Sequence, residues 1–226
     1  MMTDIDANPH MTQPACHYGQ AVVRDGRALI LLHGRGQSPQ WVKEAIWNRL
    51  DVQGWSGFAP QAAQSSWYPE RFLVPEALNQ PRLAQALESL GRLSDGLVEQ
   101  GIPYESQVLA GFSQGACLAG EFLWRRAQQY GGLLMFTGAL LDELPAPRAP
   151  AGRDFGGMPV LLSTWDEDPH VPLSYVLASA QSWEAAGADV CVWNGPGTEH
   201  GIQDAEIAVA RRMLTQIVVR IEQGEE

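Results

Sequence analysis

Six short apolar runs punctuate the chain and limit what it can fold into: ALILLHG (28–34), GFAP (57–60), SQVLAGF (106–112), GLLMFTG (132–138), MPVLLSTW (158–165) and ADVCVWNG (188–195). Their near-continuous Val, Leu and Ile content marks strands buried on both faces, as in a parallel sheet. Stretches of helical period separate them, predicted at about residues 40–50, 81–100, 114–130, 173–187 and 203–222. That order predicts one α/β domain over residues 19–226, a mostly parallel, doubly wound sheet with helices on both faces. Residues 1–18 are expected as a loose tail. Sheet and helices use most of the 226 residues and leave no room for a large cap.

Two stretches break the alternation, QAAQSSWYPERFLVPEAL (61–78) and the proline- and glycine-rich LLDELPAPRAPAGRDFG (140–156). Ligands of open α/β sheets bind beyond the carboxyl ends of the strands. The 61–78 loop directly follows an apolar run, so it is a candidate pocket wall. Trp67, Tyr68 and Phe72 are its candidate substrate contacts, because pockets for apolar groups need apolar walls.

Charge narrows the partners. The chain carries 26 acids against 15 bases, a formal charge of -11. Phosphate backbones need basic patches, so nucleic acid is not an expected partner. Anionic membrane surfaces are disfavoured for the same reason. No apolar run approaches the ~20 residues that span a bilayer, and stable membrane insertion is not expected. Cys16, Cys117 and Cys191 are far apart and odd in number, with no CxxC or His/Cys cluster. Neither a disulfide framework nor a metal site is indicated, and reduced cysteines suit a cytoplasmic protein. The opening MMTDIDANPHMTQPACHYGQ lacks the basic start and apolar stretch of a secretory signal.

LAGFSQGAC (109–117) holds a G-x-S-x-G pattern at the end of one apolar run and the start of a helical one. Such a turn presents a serine hydroxyl on a sharp strand-to-helix reversal. Chance alone supplies roughly 0.07 such patterns in a chain of this length. Its context, strand before and helix after, is what makes Ser113 a candidate nucleophile.

A serine hydroxyl needs a base. In the strand–turn–helix hydrolases the acid and then the histidine follow the serine along the chain. His10, His17 and His33 precede Ser113 and fail that order. His200, in NGPGTEHGIQ between the last apolar run and the last helix, is the candidate base. His170, in DEDPHVP, lies beside the candidate acids and reads as a pocket-rim histidine. Asp168 is the favoured acid, with Asp166 a lesser candidate, since Pro169 pushes Asp168 towards an extended conformation. His200 would take the Ser113 proton, and Asp168 would fix the His200 tautomer. The developing oxyanion needs two N–H donors. Gln114 follows the nucleophile, and Arg35 follows the turn in LLHGRG, so their backbone amides are the candidates.

With LLHGRG, APQAAQSSWYP, GFSQGACLAGEF, DEDPHVP and PGTEHGIQDAEI together, the chain resembles the phospholipase/carboxylesterase family of α/β-hydrolases. That family includes acyl-protein thioesterases and small bacterial esterases. The resemblance runs from about Ile30 to Ile207 and is greater to the bacterial esterases, through HYGQ, WYPERF and DPHVP. It implies Ser113, Asp168 and His200 as the triad and the Arg35 and Gln114 amides as the oxyanion hole. It further implies hydrolysis of carboxylic esters or thioesters with no cofactor, and with the ordered Ser–Asp–His set the expected substrate is a small-molecule ester of a short- or medium-chain acyl group. Thioester, lysophospholipid or lactone cleavage would use the same triad, and a non-catalytic binding protein of this fold is a distant alternative. Several members form homodimers. The chain departs from the thioesterase pattern at Trp165, Ala116 and Glu199, and Trp165 is placed by that departure as a wall of the acyl pocket.

Overall fold

The computed structural model describes residues 8–12, 14–24, 26–126 and 128–223. Its strands form one seven-stranded sheet: β1 (Cys16–Gly19), β2 (Arg27–Leu32), β3 (Trp55–Ala59), β4 (Gln107–Phe112), β5 (Gly132–Phe136), β6 (Pro159–Trp165) and β7 (Asp189–Gly195), in the order β1-β3-β2-β4-β5-β6-β7. Only β1 runs antiparallel, against β3. The α/β expectation therefore holds, and each of the six apolar runs is a parallel strand.

Burial on both faces explains the missing alternation. In β2, Ala28, Ile30 and Leu32 point into one core while Leu29 and Leu31 point into the other. The first core is closed by α3 (Arg82–Glu99), α4 (Gln114–Arg125) and α5 (Leu173–Ala185). The second is closed by α6 (Asp204–Gln223) and by a helical segment in which α1 (Pro39–Val42) and α2 (Asn48–Leu50) flank a π-helical turn, Lys43–Trp47.

The sheet order reverses between β2 and β4, since β2 leads outward to β3 while β4 leads the other way to β5. Loops leaving β2 and β4 must diverge there, which opens a crevice at their carboxyl ends. LLHGRG and GFSQG are those two loops.

The expected loose tail needs correction. Residues 1–7 and 13 lie outside the described residues, but Pro9–Met11 form a 3₁₀ turn and Cys16–Gly19 form β1. His10 is buried and stacks on Trp67, ring centroids 5.5 Å apart, and its Nδ1 accepts the Ala63 N–H at 3.1 Å. Burial, assisted by the positive charge of Arg82, lowers the His10 pKa to about 4. No apolar run announces β1, because its residues are half-exposed or exposed at the sheet edge.

Candidate active site

Ser113 sits between β4 and α4 with φ 52° and ψ −118°, a conformation that L side chains rarely adopt. Its N–H is tied to the Phe136 carbonyl at 3.0 Å, which anchors the turn to β5. The flanking glycines are steric requirements. A Cβ on Gly111 would lie 2.5 Å from the Gly115 carbonyl, and one on Gly115 would collide with the Leu32 carbonyl oxygen. Thus G-x-S-x-G lets α4 start hard against the end of β2, and the serine is pushed outward.

The structure brings Ser113, His200 and Asp168 together. Ser113 Oγ lies 2.8 Å from His200 Nε2, and His200 Nδ1 lies 2.8 Å from Asp168 Oδ2. Asp168 is buried, and its Oδ1 accepts the N–H groups of His170 and Val171, both at 2.7 Å. Burial pushes the Asp168 carboxyl upward, but the bonds from His200, Val171 and His170 outweigh it and hold it below the usual range. An ionised Asp168 facing Nδ1 favours the tautomer whose Nε2 is free to accept from the serine. Asp166 does something else. Its Oδ1 accepts the Gly197 N–H at 2.8 Å and so holds the loop that carries His200.

That loop is secured again past the histidine. The Gly201 carbonyl accepts from Trp165 Nε1 at 3.0 Å and from Thr137 Oγ1 at 3.3 Å. The buried Glu206 carboxyl accepts the Gln203 N–H at 3.0 Å and the Ser163 hydroxyl at 2.5 Å. Burial raises the Glu206 pKa. The His200 ring lies between Phe112 (centroids 5.0 Å) and His170 (4.7 Å).

Arg35 follows β2, and Gln114 opens α4. Neither backbone N–H has a hydrogen-bond partner among the described residues, as two oxyanion donors require. His33 fixes the Arg35 turn. Its Nδ1 donates to the Gly34 carbonyl at 2.7 Å, and its Nε2 accepts from Ala62 at 3.1 Å; burial lowers its pKa.

A cleft of about 290 Å³ opens over Ser113. Its apolar walls include Tyr68, Phe72, Phe112, Cys117 and Val171. Tyr68 and Phe72 thus stand where the sequence places them. Trp67 and Trp165 do not. Trp67 is completely buried between the rings of His10 and His33, with Nε1 donating to the His33 carbonyl at 2.8 Å. It is a structural pin under the loop. Trp165 packs beneath Gly197 and holds Gly201, so it supports the base-bearing loop and does not line the cleft. Burial pushes the Cys117 thiol up to about 12, which leaves it protonated beside Ser113.

Sequence reasoning missed the Gln114 side chain. Its Oε1 accepts the Trp67 N–H at 3.0 Å and its Nε2 donates to the Tyr68 carbonyl at 2.7 Å. One residue thereby leaves its backbone N–H unpaired among the described residues and latches the cleft wall with its side chain. A polar residue inside an otherwise small, apolar helix start was the available signal.

Comparison with known proteins agrees with this architecture. The family model for phospholipase/carboxylesterase matches residues 22–218. A crystal structure of a phospholipase/carboxylesterase from Dyadobacter fermentans superposes with a TM-score of 0.81 at 37% identity, covering 90% of this chain and 97% of that one. A carboxylesterase from Mesorhizobium loti shares the fold, with a TM-score of 0.72 at 19% identity over 89% of this chain and 95% of that one. Mouse lysophospholipase-like protein 1 is 26% identical over 148 residues, 56% of this chain, and the match spans 61% of the mouse protein's length. With the fold, the strained serine turn and this match in agreement, the chain belongs to the phospholipase/carboxylesterase family.

Proposed function

We propose that the protein is a serine hydrolase that cleaves carboxylic esters of short- or medium-chain acyl groups, with Ser113 as nucleophile, His200 as base and Asp168 as orienting acid. The observation that carries the reading is the unbroken pair of 2.8 Å contacts from Ser113 through His200 to Asp168. His200 Nε2 takes the hydroxyl proton as Ser113 Oγ attacks the ester carbonyl. The carbonyl oxygen becomes an oxyanion and moves towards the Arg35 and Gln114 amides, each worth about 3 kcal/mol to the transition state. Asp168 stabilises the imidazolium that forms. His200 then hands its proton to the leaving alcohol oxygen as the carbon–oxygen bond breaks and an acyl-enzyme remains. A water molecule, deprotonated by His200, repeats the sequence and releases the acid and the free serine. The chemistry uses groups of the chain alone, and the small cleft with its apolar walls supports a small acyl ester as substrate.

Ser113→Ala removes the attacking atom without disturbing the fold. Hydrolysis of para-nitrophenyl acetate should fall by roughly 10⁴ to 10⁶ in kcat, and labelling by a fluorophosphonate should disappear. Wild-type turnover in the variant would exclude Ser113 as nucleophile.

A further inference from the structure

The cleft has a charged rim that the ester chemistry does not use. Its lining carries two guanidinium groups, Arg35 and Arg71, against one carboxylate, Glu70, in a chain whose formal charge is -11. The ion pairs among the described residues involve neither arginine. Arg35 is occupied, since its Nη1 and Nη2 donate to the carbonyls of Pro69 and Glu70. Among the described residues Arg71 donates through Nη2 alone, to the His170 carbonyl at 2.8 Å, and its Nε and Nη1 have no partner there.

The backbone beneath Arg71 is tied down by hydrogen bonds. Asn79, fully buried, accepts the Glu70 N–H at 2.8 Å and donates to the Arg71 carbonyl at 3.1 Å. With Arg35 holding residues 69 and 70, the turn that carries Arg71 is fixed on both sides. A rotamer-rich side chain on such a turn loses less on binding than one on a loose loop.

The side of the cleft follows from proton transfer. The leaving oxygen must come within hydrogen-bond reach of His200 Nε2, so the alcohol portion of the ester lies against the base. The next ring out is His170, and Arg71 is bonded to the His170 carbonyl. Resting on the hydrolase reading above, we propose that Arg71 is a specificity-determining residue that selects esters whose alcohol portion carries a carboxylate. A planar guanidinium with open N–H groups beside the leaving-group side of the cleft suits a carboxylate. Glu70 opposes it and limits the preference.

The test compares para-acetoxybenzoate with the neutral para-acetoxybenzamide, following acetate release by the full chain. Arg71→Gln keeps an N–H donor for the His170 carbonyl and removes the charge. The anionic-to-neutral ratio of kcat/KM should fall about tenfold, and the effect should shrink as salt is raised. Glu70→Gln should move the ratio the other way. Equal effects of Arg71→Gln on both esters, with the neutral ester still cleaved by the wild type, would overturn the Arg71 assignment alone. A wild type that cleaves neither ester and resists the fluorophosphonate would overturn the hydrolase reading and this inference with it.

Discussion

Asp168 turns one carboxyl oxygen to the backbone of its own turn and the other to His200. That division makes Asp168→Asn a clean experiment. The amide oxygen would keep the His170 and Val171 bonds, so the amide N–H₂ must face His200 Nδ1 and impose the wrong tautomer. We expect kcat to drop by roughly 10⁴ while the thermal midpoint changes little, checked by ester kinetics beside calorimetry; near-normal turnover would remove Asp168 from the role. The meeting of Ser113, Asp168 and His200 was legible because chain order excludes the early histidines and strand ends confine the rest. The tryptophans were not. Trp67 and its neighbour Tyr68 follow each other in an irregular loop, and only the folded path decides which of the two faces the cleft. For Trp165, the departure from the thioesterase pattern suggested a pocket wall, whereas its indole N–H is taken by the Gly201 carbonyl.

Among the elements, the N-terminal segment and the 61–78 loop form one unit. The first inserts His10 behind Trp67, and the second carries the cleft wall over Ser113. The folded pKa of His10, about 4, lies below its ordinary value of 6.5. Between those values the unfolded chain binds the extra proton, so stability falls as the pH drops. The loss reaches at most about 3 kcal/mol. His10→Phe keeps a ring against Trp67 and removes the titration. Urea midpoints from pH 7 to 4.5 should fall more steeply for the wild type than for the variant, while Asp168 and Glu206 titrate alike in both; parallel curves would show that His10 is not the sensor. Nothing in the periodicity of residues 8–19 predicts this packing, because a single turn and a four-residue edge strand are too short to show a pattern. The helices were legible to within a few residues, most plainly α3 and α6, whose buried residues recur at helical spacing on one face. The exception is α4, predicted to residue 130, which stops at Arg125. Its last turn meets two ion pairs instead, Arg125 with Glu121 and with Glu76, each at 2.7 Å.

At the scale of the molecule, the sheet holds the crevice at the carboxyl ends of β2 and β4, and the described residues form no separate cap over it. The described helices include none long and apolar enough to cross a membrane. An uncapped cleft of about 290 Å³ sets an upper size for what its walls can cover. Across para-nitrophenyl esters from acetyl to hexadecanoyl, kcat/KM should be highest for short or medium chains and roughly tenfold or more lower for the longest. A profile that keeps rising with chain length would show that the acyl group leaves the cleft by a path other than the walls described. Fold class was the most legible property at this scale, because buried parallel strands leave continuous apolar runs that few other architectures share. The reversal of strand order between β2 and β4 reaches further than the placing of a crevice. The stretch before residue 100 brings Arg35 and the 61–78 wall to the crevice, and the stretch after it brings Ser113, Asp168 and His200. The crevice is thereby walled from both halves of the chain, by Tyr68 and Phe72 before residue 100 and by Phe112, Cys117 and Val171 after it, so a change in either half alters what the cleft admits.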